Sequence, residues 1–218
     1  MYTEMPSVPL RSLLTRKQIL YLVVMHSIGA GILDAGINFG IATAMYKGSS
    51  KPVQLWSINN NTIAGDAGVT IIIQTILTWI LDTLATTKDL KKNVITPIRG
   101  FHPKNAIFRW FLDVEGHRNT SFITKLLHDI LRGFVYCFPI FVVFWPISMG
   151  IMAGIGEGPG PEYSFNHWPT PQIFKGVYAG LLGIFTTPII TFLVLTRAGI
   201  IESMEGTVPE SDSNTSEV

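Results

Sequence analysis

The sequence predicts an all-α polytopic membrane protein with four transmembrane helices and both termini on the cytosolic side. Three observations carry that expectation: an apolar composition, four stretches long enough to cross a bilayer, and an uneven spread of Lys and Arg. Hydrophobic residues make up 47% of the 218-residue chain and charged residues 14%, against about 25% charged in ordinary soluble domains. Mean hydropathy is +0.36. A helix crosses the hydrocarbon core with about 20 mostly apolar residues. Four stretches qualify, at residues 18–46, 63–87, 130–155 and 173–196.

Residues 1–17 form a basic leader with Arg11, Arg16 and Lys17. Its polar run is followed by an apolar segment too long for a secretory signal, with no small-residue cleavage site after a short core. A mitochondrial presequence is the alternative, opposed by Glu4 and the shortness of the basic turn, so an endomembrane (ER, Golgi or vacuole) is favoured over the plasma or mitochondrial inner membrane. Cytosolic loops are enriched in Lys and Arg. With both termini in the cytosol, 13 of the 16 Lys and Arg lie on that side, nine of them in or at the end of the middle loop 88–129. The sequon Asn60-Asn61-Thr62 then falls outside the cytosol and is a possible glycosylation site at Asn60. The matches at Asn119 and Asn214 fall inside and stay bare.

The middle loop is the one sizeable polar segment. Ile107, Phe108, Trp110, Phe111 and Leu112 cluster beside Arg109 and predict a short amphipathic piece on the membrane surface. The run Lys88 to Lys92 beside a span suits anionic lipid, although ordinary positive-inside flanking is the favoured reading. The third loop is rich in Gly and Pro and reads as irregular, with Tyr163 and Trp168 in an interfacial aromatic belt. Residues 202–218 are acidic and polar and are expected to be disordered.

Ionisable groups inside a span are costly, roughly +2.5 to +3.5 kcal/mol at the centre on insertion scales, and here they form a pattern. His26, Asp34 and Asn38 share one side of the first span, with Ser27 beside them. Asp66, Thr70, Gln74, Thr78 and Asp82 recur every four residues on the second, opposite Val69, Ile72, Ile73, Ile76 and Ile80. Antiparallel depth matching pairs His26 with Asp82, sets Asp34 level with Gln74 and puts Asn38 near Asp66. The expectation is a polar seam between the first two helices. Gly29, Gly36 and Gly40 of the first span and Gly176 and Gly180 of the fourth suit close helix contact. The Gly36–Gly40–Ala44 stripe lies almost opposite Asp34, so the first span is expected to meet protein on two sides, either centrally or against a partner. Pro139, Pro146 and Pro188 are expected to bend their helices.

Motif searches leave the function class open. The single cysteine, Cys137, excludes an internal disulfide and reads as an inert buried side chain. No zincin, nucleophile-elbow or phosphate-loop motif occurs. The loop residues His102, Asp113, Glu115, His117, His128 and Asp129 are the best metal or catalytic cluster, and their ordinary reading is solvated side chains. No catalytic residue, metal or cofactor is assigned. Net charge +1 implies no nucleic-acid partner. The favoured role is a non-enzymatic accessory or scaffold subunit that joins another membrane protein in the bilayer. The alternative is a small proton- or cation-coupled transporter centred on Asp34.

Overall fold

The computed structural model describes residues 14–48, 52–56, 61–101, 103, 105–113, 121–158, 163–165 and 167–205. In chain order these form α1 (Arg16–Tyr46), β1 (Val53–Gln54), β2 (Asn61–Thr62), α2 (Ile63–Lys91), α3 (Ala106–Phe111), α4 (Phe122–Ile155) and α5 (Thr170–Glu205). The fold is all-α apart from the two-residue parallel ladder of β1 and β2. Four helices, α1, α2, α4 and α5, are long and apolar enough to cross a membrane. Asn60, Asn119 and Asn214 lie outside the described residues.

Helix ends are set by polar caps, and the expected spans stop short of them. Thr15 and Gln18 form a reciprocal capping box at the start of α1. The Thr62 hydroxyl accepts from Gly65 N at 3.2 Å at the start of α2. Ser121 accepts from Thr124 N and starts α4 at Phe122, eight residues before the apolar window at 130. The middle connection is therefore 92–121 rather than 88–129. At the other end α5 runs to Glu205, so the first residues of the expected disordered tail are helical. Helix α2 ends on Asn93, whose φ of 56° supplies the left-handed turn usual after a helix C-terminus. Helices α4 and α5 continue through Pro139, Pro146 and Pro188.

Helix α5 occupies the middle of the bundle. It packs against α1 on one side and α2 on another, while α4 packs on α2. Its small residues allow the approach to α1: a Cβ at Gly180 would lie 3.0 Å from Ala35 Cβ and 3.1 Å from the Gly31 carbonyl. A Cβ at Gly176 would lie 3.2 Å from the Ala35 carbonyl. On α1 the matching surface is Gly31 and Ala35, not the expected glycines. Around Gly36 and Gly40 nothing lies within 4 Å, and Gly29 meets only the Val24 carbonyl of its own helix. Within this chain α1 therefore packs along one side and is peripheral, not central; Ile32, Leu33 and Ile37 are exposed. On α2 the arrangement is as the pattern requires: Thr70, Gln74 and Asp82 are buried, and Val69, Ile72 and Ile73 are exposed.

Both ends are closed by loops. At the end away from the termini, β1 pairs with β2, Gln54 bridges Ser164, and Phe165 N donates to the Val53 carbonyl at 2.9 Å. The third loop is thus tied into a small cap over Leu55 and Phe165, both buried. Tyr163 packs on the core there, and only Trp168 is exposed as a belt residue would be. At the end bearing both helix termini, Gln18 Nε2 donates to the carbonyls of Thr96 (2.9 Å) and Pro97 (3.1 Å). Ile98 N donates to the Leu195 carbonyl at 3.1 Å, and a Cβ at Gly199 would collide with the Ile98 carbonyl. Glu202 grips the exposed Arg99 guanidinium at 2.6 Å and holds it above its already high range. Helix α3 leaves Ile107, Phe108 and Trp110 exposed, as an amphipathic piece should, but Leu112 is buried and Phe111 packs on Trp79. The segment is anchored in the bundle end and does not merely rest on a surface.

Candidate functional site

Three polar clasps lie at successive levels along the bundle, and α5 takes part in every one. At the level nearest the termini, His26 Nδ1 sits 2.5 Å from Asp82 Oδ1, both side chains nearly fully buried. The other Asp82 oxygen accepts from the Thr191 hydroxyl of α5 at 2.5 Å. His26 belongs to a π-wound stretch of α1, Tyr21–Gly29, where the Ala30 N–H reaches back to the Met25 carbonyl. Such stretches are rare and recur at functional sites. The Tyr21 ring packs on His26 at a tilt of 51° with centroids 4.5 Å apart, and its hydroxyl donates to Asp89 at 2.7 Å.

In the middle level, Gln74 Nε2 donates to Asp34 Oδ2 at 2.7 Å and to the Ala179 carbonyl of α5 at 2.9 Å. Gly183 lies directly against the Asp34 carboxylate, with no room for a Cβ. About two turns back along α1, Ser27 donates to the Ile184 carbonyl at 2.9 Å. That carbonyl lacks its usual helical donor because residue 188 is proline. At the third level Asp66 accepts from the Tyr46 hydroxyl at 2.7 Å and pairs with the Lys175 ammonium of α5. Lys175 is 5% exposed, so its charge is neutralised inside the protein and not at a surface.

Two expected members do not bridge helices. The Asn38 amide donates to the Asp34 carbonyl one turn back on its own helix, and the Thr70 hydroxyl does the same to the Asp66 carbonyl. Depth explains Asn38: the two pairs that form share one register, which sets Asn38 opposite Thr70, a turn away from Asp66. The seam is also not a two-helix contact, since α5 lies against both α1 and α2 and completes each clasp. Sequence reasoning missed Lys175 and Thr191. An ammonium at Lys175, inside the apolar start of α5, is a usable signal in the sequence.

A second charged cluster stands at the end carrying 92–121. Arg132 is 4% exposed, and its guanidinium reaches Asp113 at 2.8 Å and Asp129 at 3.2 Å. Its Nε donates to the Trp110 carbonyl, and the Trp110 ring lies 5.8 Å away. Asp113 also accepts from Arg197 at 2.5 Å. Asp113 takes φ of 50°, a conformation Asp tolerates better than most residues; it turns the chain after α3 and brings its carboxylate between two guanidiniums. Of the loop residues that suggested metal or catalytic chemistry, Asp113 and Asp129 are thus engaged by arginines; His102, Glu115 and His117 lie outside the described residues. Cys137 is buried, as expected of an inert thiol.

Residues 104–195 match the family described as protein of unknown function (DUF2456). An uncharacterized protein of Schizosaccharomyces pombe is 35% identical over 188 residues, which is 84% of this chain and 38% of that protein. The chain therefore spans well under half the length of that relative. An uncharacterized protein of Saccharomyces cerevisiae is 26% identical over 245 residues, covering 82% of this chain and 78% of the other. No solved structure matches.

Proposed function

We propose that this chain is a four-span protein of an endomembrane, with both termini in the cytosol, that acts as a non-enzymatic accessory or scaffold subunit for another membrane protein. The bilayer placement is supported by four apolar helices and by the exposed apolar side chains along them. The orientation is supported by the basic residues gathered at the end that carries both termini and the 92–121 connection. The observation that carries the role is a contrast on α1. On its polar side His26, Ser27 and Asp34 are engaged by α2 and α5, while its small-residue side, Gly36 and Gly40, faces open space. Small residues at that spacing let a second helix backbone approach closely.

The test is purification of the tagged chain in mild detergent, with mass spectrometry of what accompanies it. A stoichiometric membrane partner that is lost in Gly36→Leu and Gly40→Leu, with the fold intact, is the expected result. A chain that purifies alone, or a partner indifferent to both substitutions, would refute the role.

One observation favours a second reading, a proton- or cation-coupled transporter. The clasps place ionisable groups at three levels along the bundle, and the middle acid, Asp34, has a neutral amide as its partner. Asn at position 34 keeps the shape and can still accept from Gln74. Asp34→Asn should leave an accessory role intact and abolish proton flux in liposomes if the chain is a transporter.

A further inference from the structure

Beside the Arg132 cluster, α2, α4 and α5 diverge and leave a pocket of about 350 Å³. That is within the roughly 300–1,000 Å³ typical of small-ligand sites. Each helix contributes a stripe at helical spacing. Ile80 and Leu84 line it from α2, Leu126 from α4 and Val194 from α5, so most of the wall is apolar. The pocket follows α2 from Ile80 to Leu90, ten residues or about 15 Å of helix rise. It therefore runs from the apolar body of the bundle to the last turn of α2.

Its polar wall favours an anion. Lys125, Arg132 and Arg197 outnumber the acids Asp113 and Asp129 there. The acids are engaged by the two arginines, and Lys125 has no ion-pair partner among the described residues. Arg197 is held by Asp113 through one nitrogen and keeps 31% of its side chain accessible, so a headgroup phosphate in the pocket can meet both Lys125 and Arg197.

We propose that this pocket binds a phospholipid with an anionic headgroup. The phosphate is held by Lys125 and Arg197, and the upper part of one acyl chain lies along Ile80, Leu84 and Leu126. The volume takes only the headgroup and its first methylenes; the rest of the lipid stays in the bilayer. A soluble phosphate compound would leave the apolar wall unused. The inference rests on the bilayer placement proposed above and is independent of the accessory role.

The test uses the full chain in phosphatidylcholine nanodiscs carrying a trace of photoactivatable phosphatidylinositol or, in parallel, photoactivatable phosphatidylcholine. Adducts are mapped by mass spectrometry. The anionic probe should label peptides containing residues 80–90, 122–132 and 194–201 in preference to the zwitterionic probe. One basic residue near an anionic headgroup is worth about fivefold in binding, so Lys125→Ala should lower that labelling by about fivefold. Leu126→Trp, which fills the pocket, should remove it while the chain still enters the discs. Equal labelling by both probes, indifference to Lys125→Ala, or competition by free inositol phosphate would overturn the proposal. A chain that fails to enter the discs at all would instead overturn the bilayer reading and this inference with it.

Discussion

Replacing Arg132 with Met removes the cation from the most deeply buried arginine cluster in the described structure and leaves its acids behind. The side chain is 5% exposed, and it faces Asp113 at 2.8 Å and Asp129 at 3.2 Å. Breaking a buried pair by deleting one partner costs about 3–5 kcal/mol, since the remaining charge is left desolvated. Here the lower end applies. Asp113 keeps Arg197 at 2.5 Å, and the Asp129 side chain is 21% exposed and can recruit water. The added Met also packs favourably against Trp110. The expected loss is about 3 kcal/mol, read from denaturant-induced unfolding in mixed micelles followed by circular dichroism. The double change Arg132→Met, Asp129→Asn should recover most of it, because Asp113 stays paired with Arg197 and no stranded acid remains. A loss below about 1 kcal/mol in the single variant would refute the reasoning, as it would mean the cluster behaves like a solvent-screened surface pair. A double variant no better than the single would refute the attribution to stranded charge.

Other perturbations separate the remaining contacts. Gly180→Leu drives a side chain into Ala35 and the Gly31 backbone and should cost about 1–3 kcal/mol. Gly36→Leu meets nothing within 4 Å and should fall within about 0.5 kcal/mol of the parent in the same melts. Lys175→Met should destabilise by leaving Asp66 to Tyr46 alone, and Asp66→Asn in that background should restore part of the loss in a double-mutant cycle. Ser27→Ala should cost about 1 kcal/mol by orphaning the Ile184 carbonyl. Pro188→Ala should suppress that cost, since it returns an N–H to the same carbonyl; an equal effect of Ser27→Ala in both backgrounds would show that the proline is irrelevant.

The helices and their polar faces were legible because lipid and core pull residues apart by chemistry. Asp66, Thr70, Gln74 and Asp82 cannot face hydrocarbon cheaply, so their spacing alone orients α2. The depth argument also reached the right pairs, His26 with Asp82 and Asp34 with Gln74. It was slightly off in register, which is why Asn38 was matched to Asp66. Helix ends were less legible: hydropathy reports where apolar residues stop, whereas α4 starts where Ser121 can cap it. The glycines of α1 misled for a related reason. A small-residue stripe states that close approach is possible but not which side is used, and α5 met Gly31 and Ala35 instead.

What pattern reading could not reach was the role of α5, and physical chemistry explains why. Its contribution to the clasps is one ammonium, one hydroxyl and two backbone carbonyls: Lys175, Thr191, Ala179 and Ile184. Two of the four are main-chain groups, invisible to any scan of side-chain types. Yet each carbonyl is open to a side chain for a reason written in the sequence. Gly180 and Gly183 bring α1 close to the backbone beside Ala179, and Pro188 strips the donor from Ile184. Proline and glycine in an apolar helix therefore mark where its backbone can act as a polar surface. On α5 both occur on the stretch that α1 and α2 grip. The same logic bears on the choice between the two proposed roles. Clasps that use fixed carbonyls and an ammonium as partners hold α1 in one position, as a scaffold needs. Asp34 alone depends on a neutral side-chain amide, so a relay must act through it and the Asn substitution is decisive there.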